Sequence, residues 1–314
     1  MNAQTEITFG RLLRWAELCP RKFARWRRRY GQANEHNGKV PRDHWLELQE
    51  KQAIISYALS HPLEGYRSLT FMMLDADVAA VAPTTVWRVL RAAGILGRPK
   101  GKPSKKGTGF IQPLAPHEHW HIDFSYLNIG GMFYFLCGVL DGCSRKVLAW
   151  DIRTSMREID AEIVVQMARE RYPEARPRVI SDQGAQFKSR EFKFFIAQWQ
   201  ASHVMTSPYY PQSNGKLERF HKTLKEQAIR PMTPLSVADA KRITGDFIDY
   251  YNAQRLHSAI GYITPDDRLA GRQDEIHAAR DKKLEEARER RRIARQTITL
   301  PRTQTVTLTT PAVA

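Results

Sequence analysis

Apolar side chains follow a helical period from residue 8 to 30 and from 45 to 93, crowd into strand-like runs from 119 to 153, and then alternate between both patterns. The first stretch predicts two short helices, Thr8 to Glu17 and Pro20 to Tyr30, with Pro20 suited to a first turn and Gly31 to a stop. Phe23 and Trp26 form one stripe on the second helix, and basic residues surround it, as on a helix that faces phosphate. A basic helix that is merely solvated fits the same periodicity. Gln32 to Pro41 reads as a linker. Three further helices follow, one marked by Trp45, Leu46, Leu48, Ile54 and Ala58, one from Tyr66 to Leu74, and one from Pro83 to Ala93 that stops before Gly94. In the last of these Val86, Val89 and Leu90 make the apolar stripe, leaving Thr84, Thr85, Trp87, Arg88 and Arg91 outward, where a major groove could receive them. A three-helix bundle with no nucleic-acid contact is the competing reading.

Residues 119–127, Met132 to Leu140 and Lys146 to Arg153 predict three antiparallel strands turned at Gly130-Gly131 and Asp141-Gly142. A helix from Glu158 to Tyr172, a strand from Arg178 to Ser181, a helix from Ser189 to Ala201, a strand from His203 to Thr206 and helices from about Ser213 to Ile229 and Ser236 to Ala253 complete the pattern. Strands followed by alternating helices and strands imply an α/β (α+β) unit, a mixed five-stranded sheet covered by helices. The resulting organisation is a basic helical segment at 1–31, a helix-turn-helix unit at 42–97, a basic Pro- and Gly-rich linker at 98–116, a core at 117–272, and a charged helix with a disordered tail at 273–314. With Arg272, residues to 296 hold nine Lys or Arg and six Asp or Glu, a composition that predicts a solvated single helix.

Charge sharpens this picture. Lys and Arg number 49 against 33 Asp and Glu, for a net charge of +16, which attracts polyanions. The excess is clustered: residues 11–30 hold eight basic side chains, Arg25 and Arg28 among them, against Glu17 alone, and residues 88–106 hold seven, including Lys102, Lys105 and Lys106, with no acid. Nucleic acid is the leading partner this distribution predicts, and the helix-turn-helix units with the long basic linker argue for double-stranded DNA. Three cysteines, Cys19, Cys137 and Cys143, make no disulfide framework, and a reducing interior suits them. No apolar run is long enough to cross a bilayer, so a soluble cytoplasmic protein without a membrane partner is expected.

Three acids carry the candidate chemistry. Asp123 sits mid-strand in an apolar segment, where an unpaired carboxylate is costly and metal binding relieves the cost. Asp182 ends a short strand just before Gly184, and Glu218 lies on a helix whose face also carries Asn214, His221, Lys222 and Lys225. Hard oxygen ligands with room for water favour Mg2+, and phosphodiester chemistry needs cations against the transferring phosphoryl group. His117, His119 and His121 alternate on one strand, but no cysteine pair completes a zinc set, so partly exposed strand histidines are expected. Asp141 reads as a hairpin-turn residue and Asp151 as a strand-end charge. The pair Tyr209-Tyr210 reads equally as a base-stacking platform or a packed turn.

Five ordered segments, Trp120-His-Ile-Asp123, Val139 to Arg145, Ser181 to Phe187, Ser207 to Arg219 and Tyr251 to Pro265, resemble the integrase catalytic core of DDE transposases, in particular the bacterial insertion-sequence-three family, with retroviral integrases as more distant relatives. The similarity covers about residues 117–270, and His61-Pro-Leu-Glu-Gly-Tyr-Arg67 resembles the helix-turn-helix that precedes this core in the same family. The resemblance implies a ribonuclease-H-like fold in which Asp123, Asp182 and Glu218 are catalytic and bind two Mg2+ ions, with Mn2+ as a substitute. It implies binding of an element's terminal inverted repeats, strand cleavage and transfer with water or a DNA 3′-OH as nucleophile, at least a dimer to hold two ends, and a bacterial, nucleoid-associated location. It also places Lys225 against DNA near the cut, with Asn214 and Lys222 as secondary contacts. Gln183 and Ala185 stand where the family often has Asn and Pro. The alternatives are a catalytically inactive repressor that only binds the ends, and a ribonuclease-H-type nuclease acting on RNA–DNA hybrids.

Overall fold

The computed structural model describes residues 7–28, 30, 45–96, 112–206 and 215–298. The chain divides into two compact units, with boundaries at 45/46 and 290/291. In the smaller one, α1 (Phe9–Trp15) and α2 (Pro20–Arg28) meet through an edge-on contact between Phe9 and Phe23 at 5.0 Å, and Leu13 is the buried residue of α1. The expected packing stripe on α2 is only half present. Trp26 remains 51 % exposed beneath the Lys22 ammonium, and α2 buries no side chain fully.

The larger unit begins with α3 (Leu48–Ser60), α4 (Tyr66–Asp75) and α5 (Pro83–Ala92). Ile54, Met73, Val86 and Leu90 are the centre of their shared core. Glu47 and Glu50 form a reciprocal capping box at the start of α3, and Pro83 occupies the first turn of α5, where its missing N–H costs nothing. Gly94, at φ 71°, follows α5 in a left-handed conformation that suits a residue without Cβ.

Strands β1 (His119–Ile129), β2 (Met132–Asp141), β3 (Val147–Arg153), β4 (Arg178–Ser181) and β5 (Ser202–Met205) form one sheet in the order β3-β2-β1-β4-β5. The first three run antiparallel, whereas β4 and β5 are added parallel to β1. This is the mixed five-stranded sheet expected. Alternation along the strands sorts side chains between two cores. Trp120, Ile122, Cys137 and Val139 pack with α6 (Glu158–Arg171) and α8 (Arg190–Gln198), while Leu127, Ile129, Leu136 and Leu140 pack with α9 (Gly215–Leu224) and α11 (Val237–Ala253). A short α7 (Ala185–Lys188) follows β4. After α9 come a π-turn (Lys225–Ile229) and α10 (Arg230–Met232), and after α11 the chain adds α12 (Pro265–Leu269) and α13 (Gln273–Ile298).

Three expectations need correction. The helix α13 is not simply solvated. Arg280 is 4 % exposed, forms a two-pronged ion pair with Asp75 of α4 at 2.8 and 2.6 Å, and lies over the Phe71 ring, while Lys283 reaches the Leu74 carbonyl and Asp77. A second polar contact joins the same helical unit to the core, where Glu64 accepts from Tyr250 Oη at 3.2 Å and lies 3.7 Å from Arg255. His121 is wholly buried rather than partly exposed, because β4 and the turn after β2 close over it. His119 is half-buried, and His117 precedes β1 and accepts a hydrogen bond from the Trp120 indole. Asp141 is more than a turn residue. Its buried carboxylate accepts from the backbone of His117, Cys143 and Ser144 and from Ser144 Oγ, tying the turn after β2 to the start of β1. Asp151 is held by Arg153 and Lys241. The tail beyond Ile298, the linker residues Lys102, Lys105 and Lys106, and the pair Tyr209-Tyr210 lie outside the described residues, whereas 297 and 298 are helical.

Candidate active site

Asp123 points from β1 toward α9, because it shares a face with Ser125 and Leu127. Its partner on β2 is Gly138, and His221 of α9 lies over that position: a Cβ there would stand in ordinary contact with His221 Nε2 at 3.7 Å. The imidazole Nδ1 lies 3.9 Å from Asp123 Oδ2. Burial, aided by the Lys225 charge, pushes His221 down to about 3, so the ring is neutral at physiological pH and the approach is a polar contact without ion pairing.

Asp123 itself is displaced the other way. Its carboxyl is pushed up to about 7, first by burial, then by the charges of Asp182 and Glu218, against the opposing effects of the Phe124 N–H and Lys225. Among the charges acting on it, that of Asp182 is the largest. The three acids, far apart in sequence, therefore share one electrostatic neighbourhood. Asp182 follows β4 and its carboxylate caps the backbone N–H of Gly184 at 2.9 Å. Gln183 turns away to donate to the Thr206 carbonyl at 3.0 Å, and Ala185 opens α7, so the two departures from the family pattern stand beside the acid without replacing any of its contacts.

Asp123 and Glu218 line one open cleft of about 360 Å³ with Phe124, Ser125, Lys222, Lys225 and Arg230. Asp182 stands outside that lining. Among the described residues no three His, Cys, Asp or Glu side chains are drawn together tightly enough to hold an ion. The chemistry of the donors nonetheless fits a divalent cation: they are hard carboxylate oxygens, and burial, with the charges of Asp182 and Glu218 added to it, raises the carboxyl of Asp123 to about 7.

Basic groups line the same cleft as Asp123 and Glu218. Lys225 is half-buried, and burial and the neighbouring Arg230 lower its pKa; exposed Lys222 lies 3.9 Å from Glu226. Asn214 falls outside the described residues. On α5, Thr84, Arg88 and Arg91 are exposed and Thr85 is half-buried, with the Arg91 guanidinium over the Trp87 ring at 4.9 Å. Arg25 and Arg28 are exposed on α2. Arg230 was not among the sequence-derived contacts, since regular helical spacing from Glu218 does not bring it to the cleft.

Family models described as Integrase core domain match residues 113–211 and 200–265. The transposase for insertion sequence element IS904 of Lactococcus lactis is 28% identical over 175 residues, covering 52% of this chain and 69% of its own length. The transposase InsD for insertion element IS2D of Escherichia coli is 26% identical over 226 residues, covering 67% of this chain and 75% of its own. Among solved structures, the simian T-cell lymphotropic virus intasome in complex with PP2A regulatory subunit B56 gamma aligns with a TM-score of 0.46 at 17% identity over 69% of this chain and 74% of that one.

Proposed function

We propose that this chain is a DDE transposase of the insertion-sequence-three type, a polynucleotidyl transferase with an integrase core, that it binds the terminal inverted repeats of its element and that Asp123, Asp182 and Glu218 cut and join DNA there with two Mg2+ ions. The observation that carries this reading is the state of Asp123, a buried carboxyl pushed up to about 7 whose two acidic neighbours are the other members of the set. A cation shared by such carboxylates would favour their charged forms and relieve the cost of burying them. Bound Mg2+ would supply Lewis-acid stabilisation of the attacking and leaving oxygens.

The chain's own residues do the rest. Asp123 on a rigid strand and Glu218 on α9 fix the two sides of the cleft, and Asp182 approaches from the end of β4. Neutral His221 fills the space behind Asp123 and admits no competing positive charge. Lys225 and Lys222 present ammonium groups to the phosphates of the strand being cut. Sequence recognition falls to the exposed face of α5, with Thr84, Thr85, Arg88 and Arg91, and to basic α2 through Arg25 and Arg28; Asn214, Lys102, Lys105 and Lys106 add backbone contacts. Two ends must be held together for joining, so the working form is at least a dimer.

Asp123→Asn, Asp182→Asn and Glu218→Gln should each abolish Mg2+-dependent nicking and joining of an end duplex while leaving end binding intact. Wild-type nicking by all three variants would remove the mechanism. End binding by the unaltered chain without cleavage in Mg2+ or Mn2+ would identify a repressor, and preferential cutting of an RNA–DNA hybrid a ribonuclease.

A further inference from the structure

The helix that presents Glu218 does not remain α-helical to its end. After α9 the chain makes a single π-turn, Lys225–Ile229, closed by a hydrogen bond from the Arg230 N–H to the Lys225 carbonyl, five residues back. The cause is readable in the sequence. Pro231 has no N–H to offer the Gln227 carbonyl, and its ring crowds that oxygen. The ladder therefore slips by one residue. Such inserted residues recur at functional sites.

The slip decides where Arg230 points. At about 100° per residue, Arg230 in an unbroken α-helix would lie about 120° round from Glu218 and about 140° from Lys225, away from the cleft. One inserted residue gives Arg230 roughly the direction that position 229 would otherwise hold, about 20° from Glu218 and about 40° from Lys225. In agreement, Arg230 lines the same cleft as Asp123 and Glu218, and its charge acts on Lys225. The side chain is exposed, and it makes no ion pair among the described residues. Guanidinium matches the geometry of a backbone phosphate better than an ammonium does.

We propose that Arg230 is a substrate-binding residue of this site, gripping a DNA backbone phosphate beside the phosphodiester that meets Asp123 and Glu218, and that the π-turn imposed by Pro231 aims it there. This rests on the transposase reading above for the identity of the substrate, while the geometry of Arg230 stands by itself.

The test uses the full chain with Arg230→Ala, Arg230→Lys and Pro231→Ala, an end duplex, and three readouts: nicking kinetics in Mg2+, salt dependence of duplex binding without divalent metal, and the thermal midpoint. Arg230→Ala should lose tenfold or more in kcat/KM, chiefly through KM, and its binding should depend less steeply on salt, by about 0.9 in the logarithmic slope for one lost phosphate. Arg230→Lys should recover part of both. Pro231→Ala should lose activity to an intermediate degree with an unchanged or raised midpoint, because the helix can then run on regularly. Wild-type kinetics and salt slope in Arg230→Ala would overturn the inference, and a Pro231→Ala variant matching wild type would overturn the aiming role. Should the unaltered chain nick no end, the transposase reading fails, and the salt slope alone still decides whether Arg230 holds phosphate.

Discussion

Asp123 is held in a place that favours its neutral form, and this has a measurable cost in the metal-free protein. A carboxyl whose folded value is about 7 against an ordinary 3.8 contributes stability below pH 3.8 and loses it as pH rises through about 7. Asp123→Asn removes that loss. The variant and the parent should be equally stable near pH 3.5, and the variant should become the more stable by a few kcal/mol at pH 8, at roughly 1.4 kcal/mol per pH unit between the two values. Urea titrations across this range check the sign, and Mg2+ should narrow the gap by stabilising the parent. The opposite sign belongs to His257, half-buried and pushed down to about 3, whose contribution is complete above pH 6.5 and fades as pH falls. At this scale the sequence singled out Asp123, Asp182 and Glu218 by chemistry and setting, and the structure brings Asp123 and Glu218 to one cleft, with Asp182 outside its lining but its charge acting on Asp123. The sequence was silent at Arg230, because the relevant signal is a proline one residue later that alters the helix geometry, and periodicity counting assumes regular geometry.

Among the elements, the strands were legible to within a few residues, since continuous apolar runs such as Met132 to Leu140 have few other ways to be buried. The charged helix α13 was not. Its mixture of acids and bases has the composition of a solvated surface, and nothing local distinguishes Arg280, which is buried and paired, from Arg290, which is exposed. Arginine can lie in an interior when a carboxylate meets its fork, and the partner, Asp75, is 205 residues away in the chain. Arg280→Ala should therefore cost about 1.5–3 kcal/mol, the range for hydrogen bonds to charged groups, read as a lower urea midpoint. Substitution of exposed Arg290 should leave the midpoint unchanged.

For the molecule as a whole, a net charge of +16 with basic residues grouped on α2, α5 and the cleft predicts a binding strength governed by counterion release. Between 50 and 200 mM salt the affinity for an end duplex should fall by about a thousandfold or more if six or more phosphates are engaged, and a nitrocellulose or anisotropy titration measures it. A slope near zero would mean that the basic surface does not meet DNA. Composition alone was enough to expect this, whereas the association of the α3–α5 unit with the core was hidden, because it depends on side chains that look ordinary in sequence. Glu64 against Tyr250 and Arg255, and Asp75 against Arg280, join segments that read as independent modules. Replacing α3 to α5 with a foreign helical unit would thus leave two polar sockets empty on the recipient. A successful chimaera has to carry the donor's counterparts of residues 250–262 and of the first turns of α13, or rebuild those sockets to accept the newcomer.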